Sequence, residues 1–344
     1  MRIDAGIAGN VDGVAGAARA AETGGFSTAW IAELEHDPFL QCLQALEATS
    51  TLRIGTAIAV AFARSPMTTA TTGYDLARYG KGRFILGLGS QIKPHIERRF
   101  SMQWSHPAAR MREFVVAMRS IWSCWRDGTP LDFRGEFYTH TLMTPMFVPA
   151  SHQWGPPPVF IAGVGPKMTQ VAGEVADGFI FHGFTTERYL HEVTLPALRA
   201  ARAGAGKTME GFTVCGPAFL ATGASDAEIE ASKQRIRKQL AFYASTPAYA
   251  PVLELHGWGD LQPVLRVMSV RGKWDEMADL ITDEMLGEFA AVGTPDEVAP
   301  ELVRRFSDVA DSISLYTLSG PDAGLLDAMR HALSDRTAPA KEPS

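Results

Sequence analysis

Eight short apolar segments of strand character alternate with longer helical patterns along the 344 residues of this chain. Several of these segments are apolar throughout, which is typical of parallel strands covered on both faces. They are predicted at Arg2–Ile7, Thr28–Ala32, Ile54–Val60, Phe84–Leu88, Val159–Ala162, Gly178–His182, Phe212–Ala221 and Ile313–Leu318. The alternation predicts an α/β fold, and eight repeats favour a closed (β/α)8 TIM barrel over an open doubly wound sheet, which the pattern also allows.

Two stretches are longer than a simple barrel requires. Residues 128–158, after strand four, are rich in proline and aromatic residues and are predicted to form a hairpin or an irregular loop. Residues 245–293, between strands seven and eight, are predicted to hold two or three short helices. We therefore expect one barrel domain over residues 1–336, with a helical insertion at 245–293, and a disordered tail at 337–344.

The composition disfavours several classes of protein. The formal net charge of −6 argues against a partner such as duplex nucleic acid. No apolar run reaches the roughly 18 residues of a membrane span, and the N-terminus carries no apolar signal core. The three cysteines, Cys42, Cys124 and Cys215, are far apart, so we expect neither a disulfide framework nor a zinc knuckle, and a cytoplasmic location is expected.

A glycine-rich turn lies between strand five and the next helix, with the sequence Gly163-Val164-Gly165-Pro166-Lys167. Glycine lets the backbone approach a ligand closely, and proline suits the first turn of a helix. A helix N-terminus offers N–H groups and a positive dipole end, to which Lys167 adds a charge. The turn is therefore a candidate phosphate site. A tight turn without a ligand is the alternative.

Ionisable residues are crowded where strand two ends. In a (β/α)8 barrel, catalytic residues come from the C-terminal ends of the strands. The crowded residues are Glu33, Glu35, His36 and Asp37. Neighbouring carboxylates can hold a histidine in one tautomer and shift its pKa to a value that suits proton transfer. His36 and Glu33 are therefore the candidate catalytic acid/base pair. Asp37 has an alternative role as the cap of a helix that begins at Pro38.

Two further strand ends could line a ligand site. The segment Ile54–Pro66 contains a strand of unusually small residues, which would leave room for a flat ring or simply pack within the barrel. The sequence GLGS ends strand four but lacks the GxGxxG spacing of a dinucleotide site. Ser90 and Gln91, at this end, are candidate cofactor-binding residues. A basic cluster follows, which could contact an anionic ligand or form a solvated helix face: Lys93, His95, Arg98 and Arg99.

His182 ends strand six and lies, by position, at the same mouth of the barrel. Together with His36 it could suggest a metal site. However, no HxH motif follows strand one and no carboxylate ends strand eight, so no metal site is predicted. A serine hydrolase is also disfavoured, because no GxSxG motif occurs.

From Met1 to about Leu318, the chain resembles the luciferase-like monooxygenase superfamily, and specifically its deazaflavin (coenzyme F420)-dependent oxidoreductases. The most specific segment, GVGPKMTQVAGEVADGFI, is similar to the family's phosphate-binding segment. Four others are similar to one subgroup of deazaflavin oxidoreductases: EHDPFLQCLQALEATSTLRIGTAIAVAFARSPM, GRFILGLGSQIKPHIERRF, TPAYAPVLELHGWGD and AVGTPDEVA. One departure concerns the end of strand two, where many deazaflavin members carry Asp-His and this chain reads Glu33-Leu34-Glu35-His36.

The resemblance implies a luciferase-like barrel with a flavin-type ring over the C-terminal strand ends. It implies a cis peptide bond in strand three, near Ala57-Ile58, that would support the ring. It also implies phosphate contacts from Gly163, Val164 and Gly165 with Lys167 nearby, and a cofactor contact from His182.

The implied activity is hydride transfer between coenzyme F420 and a small organic substrate, a carbonyl, an alcohol or an activated double bond. His36 or Glu33 would handle the proton. An FMN-dependent monooxygenase that uses reduced flavin and oxygen is the alternative on the same fold, and a non-redox barrel is a third hypothesis. The expected partner is a small-molecule substrate rather than nucleic acid or a membrane, and a homodimer is compatible with the family.

Overall fold

Each of the eight segments predicted as strands forms a β-strand in the computed structural model, which describes residues 1–7, 10–317 and 323–337. Within these ranges the strands are β1 (Arg2–Ile7), β2 (Thr28–Ile31), β3 (Arg53–Thr56), β4 (Ala59–Val60), β5 (Phe84–Gly89), β6 (Phe133–Arg134), β7 (Thr139–His140), β8 (Val159–Gly163), β9 (Gly178–Phe181), β10 (Thr213–Thr222), β11 (Ala290–Gly293) and β12 (Ser312–Tyr316). The predicted end of strand eight, Leu318, lies outside the described residues.

The predicted strand Ile54–Val60 is divided into β3 and β4. Between them the Ala57-Ile58 peptide bond is cis, which confirms the prediction from the family resemblance. His182 follows β9 directly instead of ending it. Strands β2, β5 and β9 are buried at every position, as expected for apolar parallel strands covered on both faces.

Helices separate the strands. They are α1 (Val14–Thr23), α2 (Pro38–Ala48), α3 (Pro66–Tyr79), α4 (Pro107–Asp127), α5 (Pro166–Val175), α6 (Glu187–Tyr189), α7 (Leu195–Gly204), α8 (Asp226–Ala244), α9 (Ala250–Leu255), α10 (Leu261–Val270), α11 (Trp274–Ala278), α12 (Asp283–Phe289), α13 (Pro295–Phe306) and α14 (Ala323–Thr337). In the described part of the chain, no helix is both long and apolar enough to cross a bilayer. The predicted tail, 337–344, lies outside the described residues except for Thr337, where α14 ends.

The two predicted insertions have defined structure. Residues 128–158 contain the antiparallel hairpin β6–β7, in which Phe133 pairs with His140, so the predicted hairpin is confirmed. Residues 245–293 hold four α-helices, α9 to α12, where two or three were predicted. Helices as short as the five residues of α11 span little more than one turn, so their apolar periodicity is too brief to separate them by sequence.

The described residues divide into two compact units. The N-terminal unit (Asp4–Ile180 and Ala197–Thr213) contains a parallel sheet in the order β1-β2-β3-β5-β8-β9, with β4 beside β5. The C-terminal unit (Met1–Ile3, Phe181–Pro196 and Val214–Ser344) contains the parallel strands β11-β10-β12. The single domain over residues 1–336 stays a prediction.

Candidate functional site

The parallel strands β2, β3, β4, β5 and β8 end at one edge of the sheet in the N-terminal unit. The register shows this directly, since Ile31 pairs with Thr56, Val60 with Gly89, and Leu88 with Ile161. This edge carries all but one of the predicted site residues: Glu33 and His36 after β2, Ala57 and Ile58 after β3, Ser90 and Gln91 after β5, and Gly163, Val164, Gly165 and Lys167 at the end of β8. The exception, His182, belongs to the C-terminal unit.

Glu33 is buried, with 8% of its surface exposed, and its side chain is bound inside the protein. Arg64 Nη1 donates to Glu33 Oε2 at 2.7 Å, and the Val60 backbone N–H donates to the same oxygen at 2.7 Å. The Glu33 backbone N–H in turn donates to the Ile58 carbonyl at 3.1 Å. These contacts join the end of β2 to the segment that contains the cis peptide bond.

Arg64 also binds Asp37, the residue on the other side of His36. Its Nη2 donates to Asp37 Oδ2 at 2.9 Å, while Asp37 Oδ1 accepts from the Phe39 backbone N–H at 2.8 Å. Asp37 therefore caps α2, as the alternative prediction proposed, and is an ion-pair partner as well. One guanidinium thus holds two carboxylates that flank the three residues 34–36.

A second arginine holds the same segment from another strand end. Arg99, in the basic cluster after β5, donates to the Leu34 carbonyl, and its guanidinium lies 4.8 Å from the centre of the Phe100 ring. Lys93, in contrast, is exposed, and its one ion pair within the described residues is to Glu97 at 3.7 Å, which fits the solvated alternative. His36 itself is half-buried, and among the described residues its ring has no hydrogen bond or ion pair. The backbone on both sides of the histidine is thus held by ion pairs and hydrogen bonds, while the ring itself has neither.

Close packing explains why glycine occupies two positions of the GLGS sequence, Gly87 and Gly89. A Cβ on Gly87 would lie 1.9 Å from the Thr56 carbonyl oxygen, and one on Gly89 would lie 2.8 Å from Ile58 Cγ1. The Thr56 hydroxyl donates to the Gly87 carbonyl at 2.7 Å. These glycines therefore let β5 approach the strands around the cis peptide bond.

Ser90 and Gln91 follow β5 in a tight turn. Gln91 has a positive φ of 59°, and its side-chain Oε1 accepts from the Ile92 backbone N–H at 3.0 Å. The Ser90 hydroxyl donates to the Gln91 carbonyl at 3.2 Å. Both side chains therefore have local partners, and their contact with a cofactor stays a prediction.

The turn at Gly163–Lys167 leaves the N-terminus of α5 open. Gly165 precedes the helix in an extended conformation, and no side chain caps the first turn. A Cβ on Gly165 would meet no atom within 4 Å, whereas one on Gly163 would lie 3.0 Å from Met168 Cγ. Close packing therefore explains why position 163 is a glycine, but it does not explain the glycine at position 165. Open space beside the uncapped N–H groups, with the exposed Lys167 next to them, fits a phosphate.

His182 lies in an aromatic environment within the C-terminal unit. Its ring centre is 4.6 Å from that of Tyr243 and 4.8 Å from that of Tyr249. Burial lowers its pKa to about 4, so the ring is neutral at pH 7. The Phe184 backbone N–H donates to Nδ1 at 3.0 Å, which leaves Nε2 to carry the proton as a donor. Tyr243 was not predicted at this site, because it lies on α8, 61 positions along the chain.

Arg64 and Arg99 are the site residues that the sequence interpretation missed. Arg64 is a single cation at the end of a stretch of small apolar residues, and the preceding strand-end segment carries three carboxylates. This combination was the available signal for an ion pair between the two segments. In the sequence, Arg99 stands out only as one member of a basic cluster. Their contacts with the His36 segment depend on neighbouring strand ends meeting at one edge.

Comparisons with known proteins identify the family. The model of the luciferase-like monooxygenase family matches residues 3–312. An uncharacterized protein of Mycobacterium tuberculosis is 54% identical over 313 residues, which cover 91% of this chain and 92% of that protein. A 5,10-methylenetetrahydromethanopterin reductase of Archaeoglobus fulgidus is 27% identical over 312 residues, which cover 88% of each chain.

A solved structure shows the same fold. The coenzyme F420-dependent tetrahydromethanopterin reductase of Methanopyrus kandleri is similar with a TM-score of 0.76 at 18% identity, over 95% of this chain and 96% of that one. This likeness confirms the predicted (β/α)8 barrel. With the family model spanning residues 3–312, the chain belongs to the luciferase-like monooxygenase family.

Proposed function

We propose that this chain is a coenzyme F420-dependent oxidoreductase that transfers a hydride between the deazaflavin and a small organic substrate. The open N-terminus of α5 at Gly165 carries the proposal, because its shape and charge fit the phosphate of a flavin-type cofactor. The 27% identity over 300 residues to a putative coenzyme F420-dependent oxidoreductase of Mycobacterium tuberculosis supports the deazaflavin over FMN.

The chain's own residues hold the cofactor and move the proton. Gly163, Val164 and Gly165 would line the phosphate, with Lys167 adding positive charge. A bound deazaflavin would supply the hydride donor or acceptor, because the hard chemistry belongs to the cofactor. Ala57, Ile58, Ser90 and Gln91 stay predicted ring contacts, and His182 stays a separate prediction because it lies in the C-terminal unit.

His36 is the residue that we assign to proton transfer. Its ring has no partner among the described residues, whereas the Glu33 carboxylate is bound by Arg64 and by the Val60 N–H. A group that delivers a proton must reach the reacting atom within hydrogen-bond distance, and a carboxylate already bound on one oxygen is less free to do so. We therefore assign Glu33 to positioning the segment, with His36 as the acid or base.

Titration of the purified protein with each cofactor tests the proposal. We expect coenzyme F420 to bind with micromolar or tighter affinity, seen as quenching of its fluorescence, and FMN to bind far more weakly. Micromolar binding of FMN without binding of F420 would overturn the proposal. Failure to bind either ring would support the non-redox hypothesis.

An FMN-dependent monooxygenase is the second candidate function. The phosphate turn fits FMN as well, and the family's description is that of a monooxygenase. Oxygen consumption by the protein loaded with reduced FMN would favour this candidate, whereas hydride exchange with F420 in the absence of oxygen would favour the first. A cytoplasmic location, in keeping with three free buried cysteines, is part of the proposal.

A further inference from the structure

Three half-buried rings meet in the C-terminal unit, and we call them the aromatic face: His182, Tyr243 and Tyr249. The ring centre of His182 lies 4.6 Å from that of Tyr243 and 4.8 Å from that of Tyr249, and the two tyrosine rings lie 6.1 Å apart. The three residues belong to separate elements, since His182 follows β9, Tyr243 lies on α8 and Tyr249 directly precedes α9. The tertiary structure therefore brings together three rings that each keep part of their surface exposed.

Buried phenylalanines pack beneath the aromatic face. Phe184 is 1% exposed, and its ring centre lies 5.8 Å from that of Tyr249 and 4.6 Å from that of Phe289. Phe219, on β10, is 3% exposed, and its ring centre lies 6.3 Å from that of Tyr243. Packed rings of this kind hold the aromatic face in place, so a ligand that binds there orders few side chains and loses little entropy on binding.

The aromatic face is uncharged at pH 7. Burial lowers the pKa of His182 and raises the pKa of Tyr249, while burial and the neighbouring tyrosines Tyr316 and Tyr249 raise the pKa of Tyr243. In the described part of the chain, no arginine or lysine lies over any of these three rings. A charged ligand would therefore lose its water without gaining an ion pair, which is unfavourable.

One hydrogen-bond donor of the aromatic face has no partner. The Phe184 backbone N–H donates to His182 Nδ1 at 3.0 Å, so the proton of the neutral ring is on Nε2. Within the described residues, this Nε2 makes no hydrogen bond. Small-molecule sites are lined mainly by apolar and aromatic side chains, with a few polar groups that fix the orientation of the ligand. The His182 N–H, beside two tyrosine rings, matches that description.

The donor also separates two classes of neutral or cationic ligand. Tyrosine rings can bind a quaternary ammonium group through cation–π attraction. Such a cation has no acceptor atom for the His182 N–H, however, and leaves this donor without a partner. A neutral ligand that has both a ring and an oxygen acceptor uses the rings and the donor together.

We propose that the aromatic face binds the ring of a neutral carbonyl compound, whose oxygen accepts a hydrogen bond from His182 Nε2. On the proposed function this ligand is the substrate, and its class is then a ring-bearing ketone, aldehyde or enone. The inference rests on the proposed function for that role alone, because the binding itself requires no cofactor. His182 then contacts the substrate instead of the cofactor, and Tyr243 and Tyr249 determine specificity.

Binding of matched probes to the cofactor-free full chain tests the proposal. Acetophenone has the ring and the carbonyl oxygen, benzoate adds a negative charge, and phenyltrimethylammonium carries a positive charge. In titrations followed by saturation-transfer NMR at pH 7, we expect each ion to bind at least about tenfold more weakly than acetophenone. Binding of either ion as tight as that of acetophenone, or no binding of acetophenone up to its solubility, would overturn the proposal.

Two variants separate the hydrogen bond from the ring contacts. His182→Phe keeps a ring but removes the donor, so the affinity for acetophenone should fall about tenfold, while that for ethylbenzene, which lacks the oxygen, changes by less than about twofold. Tyr249→Leu removes a ring, so the affinity for both probes should fall about three- to tenfold.

The controls for these variants are His191→Phe and Phe147→Leu, at exposed positions outside the aromatic face. Circular dichroism verifies that each variant is folded. If His182→Phe left the affinity for acetophenone unchanged, or Tyr249→Leu behaved like Phe147→Leu, the aromatic face would not be the binding site.

Titration with coenzyme F420 distinguishes this inference from the proposed function. The Kd for F420 should change by less than about twofold in His182→Phe, because the proposal places the substrate rather than the cofactor on His182. A loss of F420 affinity in this variant would make His182 a cofactor contact and overturn the proposal. A wild type that binds acetophenone but neither F420 nor FMN would instead overturn the proposed function and leave the aromatic face as a ligand site.

Discussion

The Arg64 guanidinium lies 2.7 Å from the buried carboxylate of Glu33, and this ion pair fixes the start of the segment that carries His36. We predict that Arg64→Met destabilises the protein by about 3 kcal/mol, because it leaves a carboxylate buried without its charge partner. Denaturation in urea measures the loss. The double variant Glu33→Gln, Arg64→Met should be more stable than Arg64→Met alone, since no buried charge is then left uncompensated.

The control for this ion pair is Asp37→Asn. The Asp37 side chain is 44% exposed, and asparagine can still cap α2, so this change should cost less than about 1 kcal/mol. If Arg64→Met cost no more than Asp37→Asn, the Glu33 pair would not be a significant source of stability.

His36 is predicted to transfer the proton. His36→Gln should lower kcat by about 10²- to 10⁴-fold, the usual contribution of general acid–base catalysis, while the Kd for coenzyme F420 changes by less than about twofold. His95→Gln, at an exposed histidine after β5, is the control. A His36→Gln variant with an unchanged kcat would remove His36 from the chemistry.

Gly165 is predicted to contact the cofactor phosphate. Its extended backbone accepts any residue, and a Cβ there meets no atom within 4 Å, so Gly165→Leu should leave the thermal midpoint nearly unchanged. The same change should weaken cofactor binding at least about tenfold by blocking the helix N-terminus. Gly204→Leu, at another glycine with open space, is the control. Unchanged affinity for both F420 and FMN would show that the phosphate site is elsewhere.

The neutral His182 is predicted to make stability dependent on pH. Burial lowers its pKa from 6.5 to about 4, so below pH 6.5 the unfolded chain binds a proton that the folded protein does not. This contribution is fully present above pH 6.5 and is lost as pH falls through 4, to a total of about 3 kcal/mol. His182→Asn should make the free energy of unfolding less dependent on pH between these two values, whereas His191→Asn, at an exposed histidine, should not.

Glu22 is predicted to stabilise the loop before β3. Backbone N–H groups of Thr51, Leu52 and Ser50 bind its carboxylate and lower its pKa from 4.5 to about 2. A depressed pKa gives stability that is present above about pH 4.5 and is lost as pH falls through 2. Glu22→Gln should therefore lower the thermal midpoint at pH 7 and reduce the loss on acidification. Glu47→Gln, at an exposed glutamate on α2, should do neither.

Much of the fold could be predicted because its signals are local. The strand Arg2–Ile7 has the predicted bounds, and the glycine-rich turn at Gly163–Lys167 does join a strand to a helix. The four helices of the insertion at 245–293 were harder to predict, since short helices carry too few turns to show a period. The cis bond at Ala57-Ile58 was predictable only through the family, because nothing in the residue types themselves requires it.

The site was predictable in its position but not in its contacts. The candidates Glu33, His36 and Gly165 could be placed at strand ends because parallel strands end at one edge of a sheet. That Glu33 would be bound, and His36 left without a partner, could not be predicted, because the deciding residue is Arg64, 31 positions from Glu33.

By itself, the amino-acid sequence determined the order of strands and helices, the open turn before α5 and, through its motifs, the family. Those features depend on residue type and short spacing, which the chain carries locally. Only the tertiary structure decided that Arg64 binds both Glu33 and Asp37 and that Arg99 donates a hydrogen bond to the Leu34 carbonyl. It also decided that the valines of α10 are exposed. Ion pairs and burial depend on distances between segments remote in the chain, and only folding sets those distances.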